Sequence, residues 1–475
     1  MPTQTKKITL DTAAIFFGKF VGLLFGVIRL NYLATYLGVA SFGTLNFATY
    51  FCSLFQVLFD LGISQLLIRE LARDLSRSKE FVGRVLALKI LVAFIAGVLV
   101  GITGFLSHFD RITNWAVLLT TIVFAVNGVA LVFLSAFQAH RKMTLVSIAN
   151  LLNDLLLSIA IILVIQSYPS IVTVLLLSIL IACVNLAILF TVYVRSVGMP
   201  QFKADIDLWK SLLKESTPIA ISSLGISTYT FIGPTILKYT RGDTEVGIYS
   251  AGYKLISILT LVPSTFTQVV YPIFSDFFAN AKHKLGKALQ DSLRVMVQIS
   301  VPLAIGIILL APRIIGILYP SSFAEAASVL QLIIAGNAVG YLAWILYAFV
   351  LALNRQKYCM WNSLAVALTA LVASLIVVPR FGFKAAAVVS MATDVVLFLS
   401  LLQYTIRIGF RMDAMSKLPR IVFSAAVMGV LLFVLRDWYL VPVVVVGSCT
   451  YIGMLLLLGV FGDQERELLA KVFGR

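Results

Sequence analysis

Apolar stretches of about 20 residues recur along almost the whole chain, and they constrain its fold more than any other feature. Each stretch is long enough for an α-helix to cross the hydrocarbon core of a bilayer. Of the 475 residues, 60% are hydrophobic and only 12% are charged, with a mean hydropathy of +1.00. A soluble protein of this size needs far more charge to cover its surface. We therefore predict an all-α polytopic membrane protein.

About fourteen transmembrane helices are predicted, and the charges between them predict their orientation. With both termini in the cytoplasm, and with charges at the ends of the spans counted in the adjoining segments, the inner segments carry 26 Lys and Arg residues and the outer segments carry 7. Cytoplasmic loops of membrane proteins hold such an excess. This bias accounts for most of the net charge of +16, so no nucleic-acid partner is predicted. The chain enters its first span without a small-residue cleavage site, so no signal peptide is predicted either. The predicted spans are 12–35, 43–67, 85–106, 115–136, 144–165, 171–194, 215–238, 246–275, 295–311, 324–350, 359–379, 383–406, 419–435 and 439–461.

Span 2 carries a line of polar residues in an otherwise apolar segment. On an ideal helix they fall within about 40° of Asp60, so they share one face. Hydrocarbon offers such groups no hydrogen-bond partners. We therefore expect this face to line a water-filled cavity, the alternative being hydrogen bonds between helices. The residues are Asn46, Thr49, Ser53, Gln56, Asp60 and Ser64.

An internal repeat relates the two halves of the chain. An offset of 204 residues places 42–51 on 246–255, so that Gly43 meets Gly247 and Asn46 meets Ser250. A second match places 136–142 on 352–358. Both halves start on the same side of the membrane, which predicts a parallel repeat. The predicted lobes are 1–195 (spans 1–6) and 196–406 (spans 7–12), followed by spans 13–14 and a cytoplasmic tail in 407–475.

Charged residues within the spans are the first candidates for function. Arg29 falls on a face of span 1 made of glycines, and Lys19 lies at its edge. Lys254 lies on a polar face of span 8. Either these groups line a transport pathway or they form structural ion pairs with acids in other spans. Lys89, near the inner end of span 3, is expected to extend its amine to the membrane surface. The acids are Asp154 and Asp394, and the polar residues of the face around Lys254 are Ser250, Ser257 and Gln268.

Several kinds of chemistry lack their residues in this sequence. It has no glycine-rich loop ending in Lys-Ser or Lys-Thr, and no His, Cys and acid cluster with ligand spacing. The four cysteines are scattered through apolar helices. We therefore expect no catalytic residue, no metal and no cofactor, with a proton or sodium gradient as the candidate energy source.

Five segments resemble one family of membrane transporters. They are YLGVASFGTLNFATYF, IRELAR and AFQAHRK in the first half, with LLKESTPIAISS and DTEVGIYSAGYKL in the second. The sequence resembles the oligosaccharide-lipid, O-antigen and polysaccharide flippases of the multidrug/oligosaccharidyl-lipid/polysaccharide exporter superfamily, over about residues 8–460. The resemblance implies two lobes in a V shape around a cavity lined by spans 1, 2, 7 and 8.

The resemblance also implies a function. The cargo would be a polyprenyl-diphosphate-linked oligosaccharide, turned to the outer leaflet of a bacterial cytoplasmic (inner) membrane by alternating access. Arg29 and Lys254 would bind the diphosphate, and Asp60 with the polar faces would contact sugar or an ion. Membrane lipids and other polysaccharide-assembly proteins would be its partners.

Two other functions are weighed against this one. A cation-coupled multidrug exporter of the same superfamily would use Asp60, Asp154 or Asp394 to hold its cation. A polysaccharide polymerase or ligase would need a large outer loop, and no predicted outer loop exceeds about a dozen residues. Lipid II flippases carry more arginine in their first two spans than this sequence does, which argues against a peptidoglycan role.

Overall fold

The computed structural model describes residues 2–410 and 417–460, with side chains from residue 21 onward. This part of the chain is helical apart from short turns, which confirms the predicted fold class. The helices are α1 Pro2–Leu54, α2 Gln56–Asp60, α3 Ile63–Arg73, α4 Ser78–Leu106, α5 Arg111–Ala139, α6 Met143–Ile165, α7 Ile171–Ser196, α8 Ile206–Arg241, α9 Asp243–Leu259, α10 Leu261–Asn280, α11 Lys282–Leu318, α12 Ala326–Ala352, α13 Gln356–Arg407, α14 Leu418–Val434 and α15 Leu440–Leu457. Single 3₁₀ turns lie at Leu75–Arg77 and Ser321–Phe323.

Eleven helical segments of the described part are long and apolar enough to cross a membrane. Two of them, in α1 and α13, are each a pair of helices joined at a glycine, Gly38 with φ 72° and Gly382 with φ 64°. The apolar helix α14 is shorter, with 17 residues. Dividing α1 and α13 at their glycines and adding α14 gives the fourteen predicted spans.

The predicted repeat is visible in the backbone where span 1 meets span 2 and span 7 meets span 8. Gly38 has φ 72° and ψ 173°, and Gly242 has φ 88° and ψ −173°. These two glycines are separated by the same 204 residues that relate Gly43 to Gly247. A positive φ is accessible to glycine without the steric cost that other residues meet. The two halves therefore make this turn in the same way.

The second predicted match is wrong in its register. The turn after α5 and the turn after α12 have one hydrogen-bond pattern: His140 N–H donates to Ala136 O at 3.0 Å, and Leu353 N–H donates to Phe349 O at 3.2 Å. The next residues, Arg141 and Asn354, both have a positive φ, 57° and 59°. The true offset here is therefore 213 residues, whereas the predicted match used 216. Sequence similarity over seven residues was too weak to fix the register.

The chain forms two compact units. The first contains the chain up to Ser250, with Leu318–Ser322 and Leu371–Phe383. Its largest core lies between α3, α4, α5 and α7, where Phe133, Phe137 and Tyr193 are fully buried. The second contains Ala251–Ile317, Phe323–Ala370 and the chain from Lys384 onward. The lobe boundaries at residues 195 and 406 stay predictions, and the tail beyond residue 460 lies outside the described residues.

Two ends of the first unit are named here for later use. The Gly38 end contains Gly38, residues 107–110 and Gly242. The Gly62 end contains Gly62, residues 140–142 and residues 197–205. The charge bias predicts that the Gly38 end is the outer one.

The sequence predicted span 2 as one continuous helix, and this prediction is wrong. The helix is interrupted at Phe55. The short helix α2 is followed by Leu61 with φ 52° and Gly62 with φ 72°, both in the left-handed region. The chain then turns into α3, whose buried apolar face contains Ile63, Leu67 and Leu71. The amphipathic segment 68–84, which the sequence predicts as one helix on the membrane surface, is therefore three elements: the second half of α3, a turn and the start of α4.

The fourteen-span topology predicts which side of the membrane each connection occupies. One helical pair, α9 and α10, lies between Arg241 and Lys284. Reporter fusions after these two residues should therefore report opposite sides. A control fusion after Arg355 should report the same side as the one after Lys284. The same side for Arg241 and Lys284 would overturn the assignment of α9 and α10 as one span.

Candidate functional site

Arg29 lies where the first arm of α1 packs against α6. It is half-buried, and its nearest opposite charge is the carboxylate of Asp154. Gly22 lies on the same contact, since a Cβ there would be 3.7 Å from Oδ2 of Asp154, an ordinary packing distance. The Nη1 atom of Arg29 is buried and has no hydrogen-bond partner among the described residues. The guanidinium therefore has one attracting acid and unused donor capacity.

Asp154 is exposed, although it lies near the middle of α6. Asn150, one turn earlier, is exposed as well, whereas Ser158 is buried and donates from Oγ to the Asp154 carbonyl at 2.6 Å. A carboxylate at this depth is very costly in contact with lipid. The exposed side of Asp154 and Asn150 is therefore the side of α6 that must meet water or cargo.

Asp60 has a structural partner that the sequence analysis missed. The ammonium of Lys89, on α4, forms an ion pair with Asp60 Oδ1 and also donates to Phe59 O at 3.2 Å. Ser64 donates to the same carboxylate oxygen at 2.5 Å. Lys89 is only 1% exposed, so the expectation that it reaches the membrane surface is wrong. Hydrophobic spacing could not reveal this pair, because the two residues lie on different spans.

The polar line of span 2 is mostly turned inward. Asn46 and Ser53 are buried, and their side chains donate to carbonyls one turn back in the same helix, at 2.8 Å to Phe42 O and 2.7 Å to Thr49 O. Gln56, beside the interruption at Phe55, is exposed. The helix thus satisfies its own polar groups, a third possibility beside the cavity and the interhelical bonds.

The residues predicted on span 8 are divided between buried and exposed positions. Ser250 is fully buried and donates to Val246 O at 2.6 Å. Lys254 is half-buried, and Ser257 is exposed and donates to the Lys254 carbonyl at 2.7 Å. The helix is interrupted at Thr260, and Gln268 is exposed on α10. The side chain of Lys19 lies outside the described residues.

Asp394 on α13 is held by an amide on α12. Asn337 Nδ2 donates to Asp394 Oδ2 at 2.8 Å, and a Cβ on Gly340 would lie 3.1 Å from the carboxyl carbon. No lysine or arginine among the described side chains pairs with this carboxylate. The sequence analysis missed Asn337, although an asparagine in the middle of an apolar span was a visible signal.

Comparison with known proteins gives one family and one fold. A profile of the family described as polysaccharide biosynthesis protein matches residues 8–278. The probable low-salt glycan biosynthesis flippase Agl15 of Haloferax volcanii is 24% identical over 221 residues, which are 46% of this chain and 46% of that protein. The match thus spans about half the length of this curated relative.

Two solved structures resemble the whole chain or most of it. The lipid II flippase MurJ, in an inward closed conformation, matches with a TM-score of 0.75 and 14% identity, over 98% of this chain and all of that one. An inward-facing multidrug resistance MATE family transporter of the MOP superfamily matches with a TM-score of 0.65 and 15% identity, over 82% of this chain and 94% of that one. At these identities the likeness establishes the fold alone.

The ion pair of Asp60 and Lys89 predicts a specific pattern of stability. Lys89→Met leaves a carboxylate without its cation and should cost about 3–5 kcal/mol of unfolding free energy. The double variant Lys89→Met with Asp60→Leu removes both charges and should recover most of it. Thermal unfolding of the purified protein in detergent measures both. A double variant no more stable than Lys89→Met would contradict a structural role for the pair.

Proposed function

The chain belongs to the polysaccharide biosynthesis protein family, and from this premise we propose that it flips a polyprenyl-diphosphate-linked oligosaccharide from the cytoplasmic to the outer leaflet by alternating access. The family match, over more than half of the chain, is the observation that carries the proposal. The membrane is the bacterial inner membrane, with both termini in the cytoplasm. Other polysaccharide-assembly proteins receive the translocated glycan.

Arg29 is the proposed anchor for the diphosphate. A planar guanidinium holds two phosphate oxygens in a fixed fork geometry, which an ammonium lacks. Its Nη1 has no partner in the described structure, so an incoming anion would supply one. Since the diphosphate carries at least two negative charges, it would compete with Asp154 for the guanidinium. Binding would then release Asp154 toward its exposed side.

Lys254 is proposed as a second cation for the cargo, acting as a point charge. The proposed contacts for sugar hydroxyls are three exposed polar groups: Gln56 on α2, Ser257 on α9 and Gln268 on α10. Lys19 is likewise proposed to bind the cargo as a cation. Asn46, Ser53 and Ser250 are proposed to act indirectly, because their polar atoms are already bonded inside the protein. Asp60 is proposed to hold α2 against α4 through Lys89 and to take no part in cargo binding.

Asp394 is the proposed coupling group. Burying an unpaired carboxylate is costly, and a proton or a sodium ion would remove that cost. Asn337 fixes the orientation of the carboxylate while leaving its second oxygen to the ion. A gradient acting at this position would supply the energy of transport, with no cofactor.

The leading alternative is a cation-coupled multidrug exporter, favoured by the fold likeness to MATE transporters and by Asp394. A membrane polymerase is less well supported, because no described connection between helices exceeds nine residues. Such a connection is too short for a catalytic domain. The protein is therefore proposed to be a transporter and not an enzyme.

The role of Arg29 is tested by display of the surface glycan in cells that lack the chromosomal gene. Arg29→Gln should abolish display while membrane levels of the protein stay normal. Arg29→Lys should restore it only in part, because the fork geometry is lost. The lipid-linked glycan that accumulates in the cytoplasmic leaflet would identify the cargo.

A pair of double variants distinguishes substrate binding from charge neutralisation. Arg29→Gln with Asp154→Asn should stay inactive if the diphosphate needs the guanidinium. Lys89→Met with Asp60→Leu is the matched control, since it removes another ion pair of the same unit and should keep display. Full display by the Arg29 and Asp154 double variant would refute the proposed anchor.

The coupling role of Asp394 predicts a loss that depends on the gradient. In vesicles loaded with the lipid-linked glycan, Asp394→Asn should abolish the stimulation of flipping by an imposed proton or sodium gradient. Asp276→Asn is the control, because Asp276 also accepts a hydrogen bond from an asparagine, Asn280 at 2.7 Å, but lies exposed. Gradient stimulation that survives Asp394→Asn would rule out this coupling site.

A further inference from the structure

Helix backbones meet most closely where the second arm of α1 crosses α9, at the Gly38 end. A Cβ on Gly43 would overlap the carbonyl oxygen of Asp243, and a Cβ on Gly247 would overlap the carbonyl oxygen of Val39. These two contacts are equivalent under the 204-residue repeat, since Val39 corresponds to Asp243 and Gly43 to Gly247. The crossing therefore has the symmetry of a local two-fold axis. Only glycine at both positions allows it.

A buried lysine binds this crossing to two neighbouring helices. Lys238, near the end of α8, is 9% exposed. Its Nζ lies 2.6 Å and 2.7 Å from the two carboxylate oxygens of Asp243 and 3.6 Å from Asp110 Oδ1. It also donates to Thr113 Oγ1 at 3.1 Å. One ammonium thus joins α8, α9 and the start of α5.

One of the two acids near Lys238 has a lowered pKa. Asp110 precedes α5 and accepts hydrogen bonds from the Thr113 backbone N–H at 3.2 Å and the Thr113 hydroxyl at 2.5 Å. Burial alone would raise the pKa of Asp110, but these bonds and the charge of Lys238 hold it below its ordinary value. Asp110 is therefore charged at neutral pH.

Aromatic side chains lie against the lysine of this cluster, whereas the Asp110 side chain is 57% exposed. The Lys238 ammonium lies 5.7 Å from the centre of the Phe47 ring, and Phe109 contacts both Phe47 and Tyr239 with ring centres 5.1 Å apart. Tyr50 stacks on Phe231 at 5.8 Å. Excluding water strengthens an ion pair, because the local dielectric constant is lower.

At the Gly62 end, α8 makes a contact of a different kind. Arg69 on α3 pairs with Glu215 on α8 at 2.7 Å, and their side chains are 41% and 50% exposed. An exposed pair contributes roughly 0–1 kcal/mol. Beside it, a Cβ on Gly62 would lie 3.0 Å from Ile219. The two ends of α8 are thus held differently, by a lysine that is only 9% exposed at the Gly38 end and by an exposed ion pair at the Gly62 end.

We propose that Lys238 is a positioning residue that locks the Gly38 end of the helices closed, and that this lock makes the Gly62 end the first to open. Alternating access requires that each end of the pathway opens in turn. Opening the Gly38 end must part the crossing at Gly43 and Gly247 and separate Lys238 from Asp110 and Thr113 at the start of α5. Opening the Gly62 end breaks only an exposed pair. The order of opening rests on the proposed transport function. The lock itself can be tested in the protein without cargo.

The test measures the reactivity of single cysteines in purified protein whose native cysteines have been replaced. Ala48→Cys reports on the Gly38 end and Ser216→Cys on the Gly62 end, since both positions are buried. Lys238→Met should raise the rate at which a maleimide labels position 48 by about tenfold or more. It should leave position 216 unchanged. Arg69→Gln should raise the labelling rate at position 216 and leave position 48 unchanged.

Two further variants keep the test decisive if Lys238→Met folds poorly. Lys238→Arg, which keeps a positive charge beside Asp110 and Asp243, should retain protection of position 48. Gly247→Ala should expose position 48 without touching any charge, whereas Gly26→Ala should not, because nothing lies within 4 Å of a Cβ there. Unchanged labelling in folded Lys238→Met, or loss of protection in Lys238→Arg, would refute the lock. No glycan is needed, so these results stand apart from the flipping assay.

Discussion

Hydrocarbon gives a charged side chain no partner, and this constraint governs where every ionic group of the described spans lies. Lys89 is paired with Asp60, Lys238 with Asp243, and Arg29 lies beside Asp154. The first two pairs are fully enclosed on the cation side, so they hold helices together. Arg29 differs because its acid is exposed and one of its donors is unused. The same physical requirement thus separates groups that hold the helices together from a group suited to cargo.

The duplicated halves determine how the helices cross. Gly38 and Gly242 give the two turns the same backbone, and Gly43 and Gly247 let the following helices approach each other through equivalent atoms. These positions require glycine because of the backbone conformation and the close approach of the helices, and not because of side-chain chemistry. In contrast, Lys238 has no lysine counterpart at the corresponding position of the first half, Ala34. Symmetry therefore builds the crossing, and a residue that breaks the symmetry locks it.

Hydropathy predicted all the spans because the length of an apolar helix is set by the bilayer, and the five quoted segments predicted the superfamily. The sequence could not predict the interruptions at Phe55 and Leu61, since neither residue is a helix breaker by type. The face calculation for span 2 assumed one regular helix, so it placed Ser53 and Gln56 together, although one is buried and the other exposed. Partners from distant spans, Lys89 for Asp60 and Asn337 for Asp394, depend on tertiary packing that periodicity does not encode. Arg29 and Asp154 were both identified as candidates, but the sequence could not show that they face each other.

The reciprocal contact of Gly43 with the Asp243 carbonyl, and of Gly247 with the Val39 carbonyl, has a consequence for ancestry. In a homodimer of half-length chains, the same contact would place each glycine against a carbonyl oxygen of the second copy, four residues before the equivalent glycine, across a true two-fold axis. A single chain that contains both halves keeps this contact within one molecule and places both glycines under the same spatial demand. Each half can therefore diverge in its charges, as Lys238 has done, but the two glycines must be inherited together.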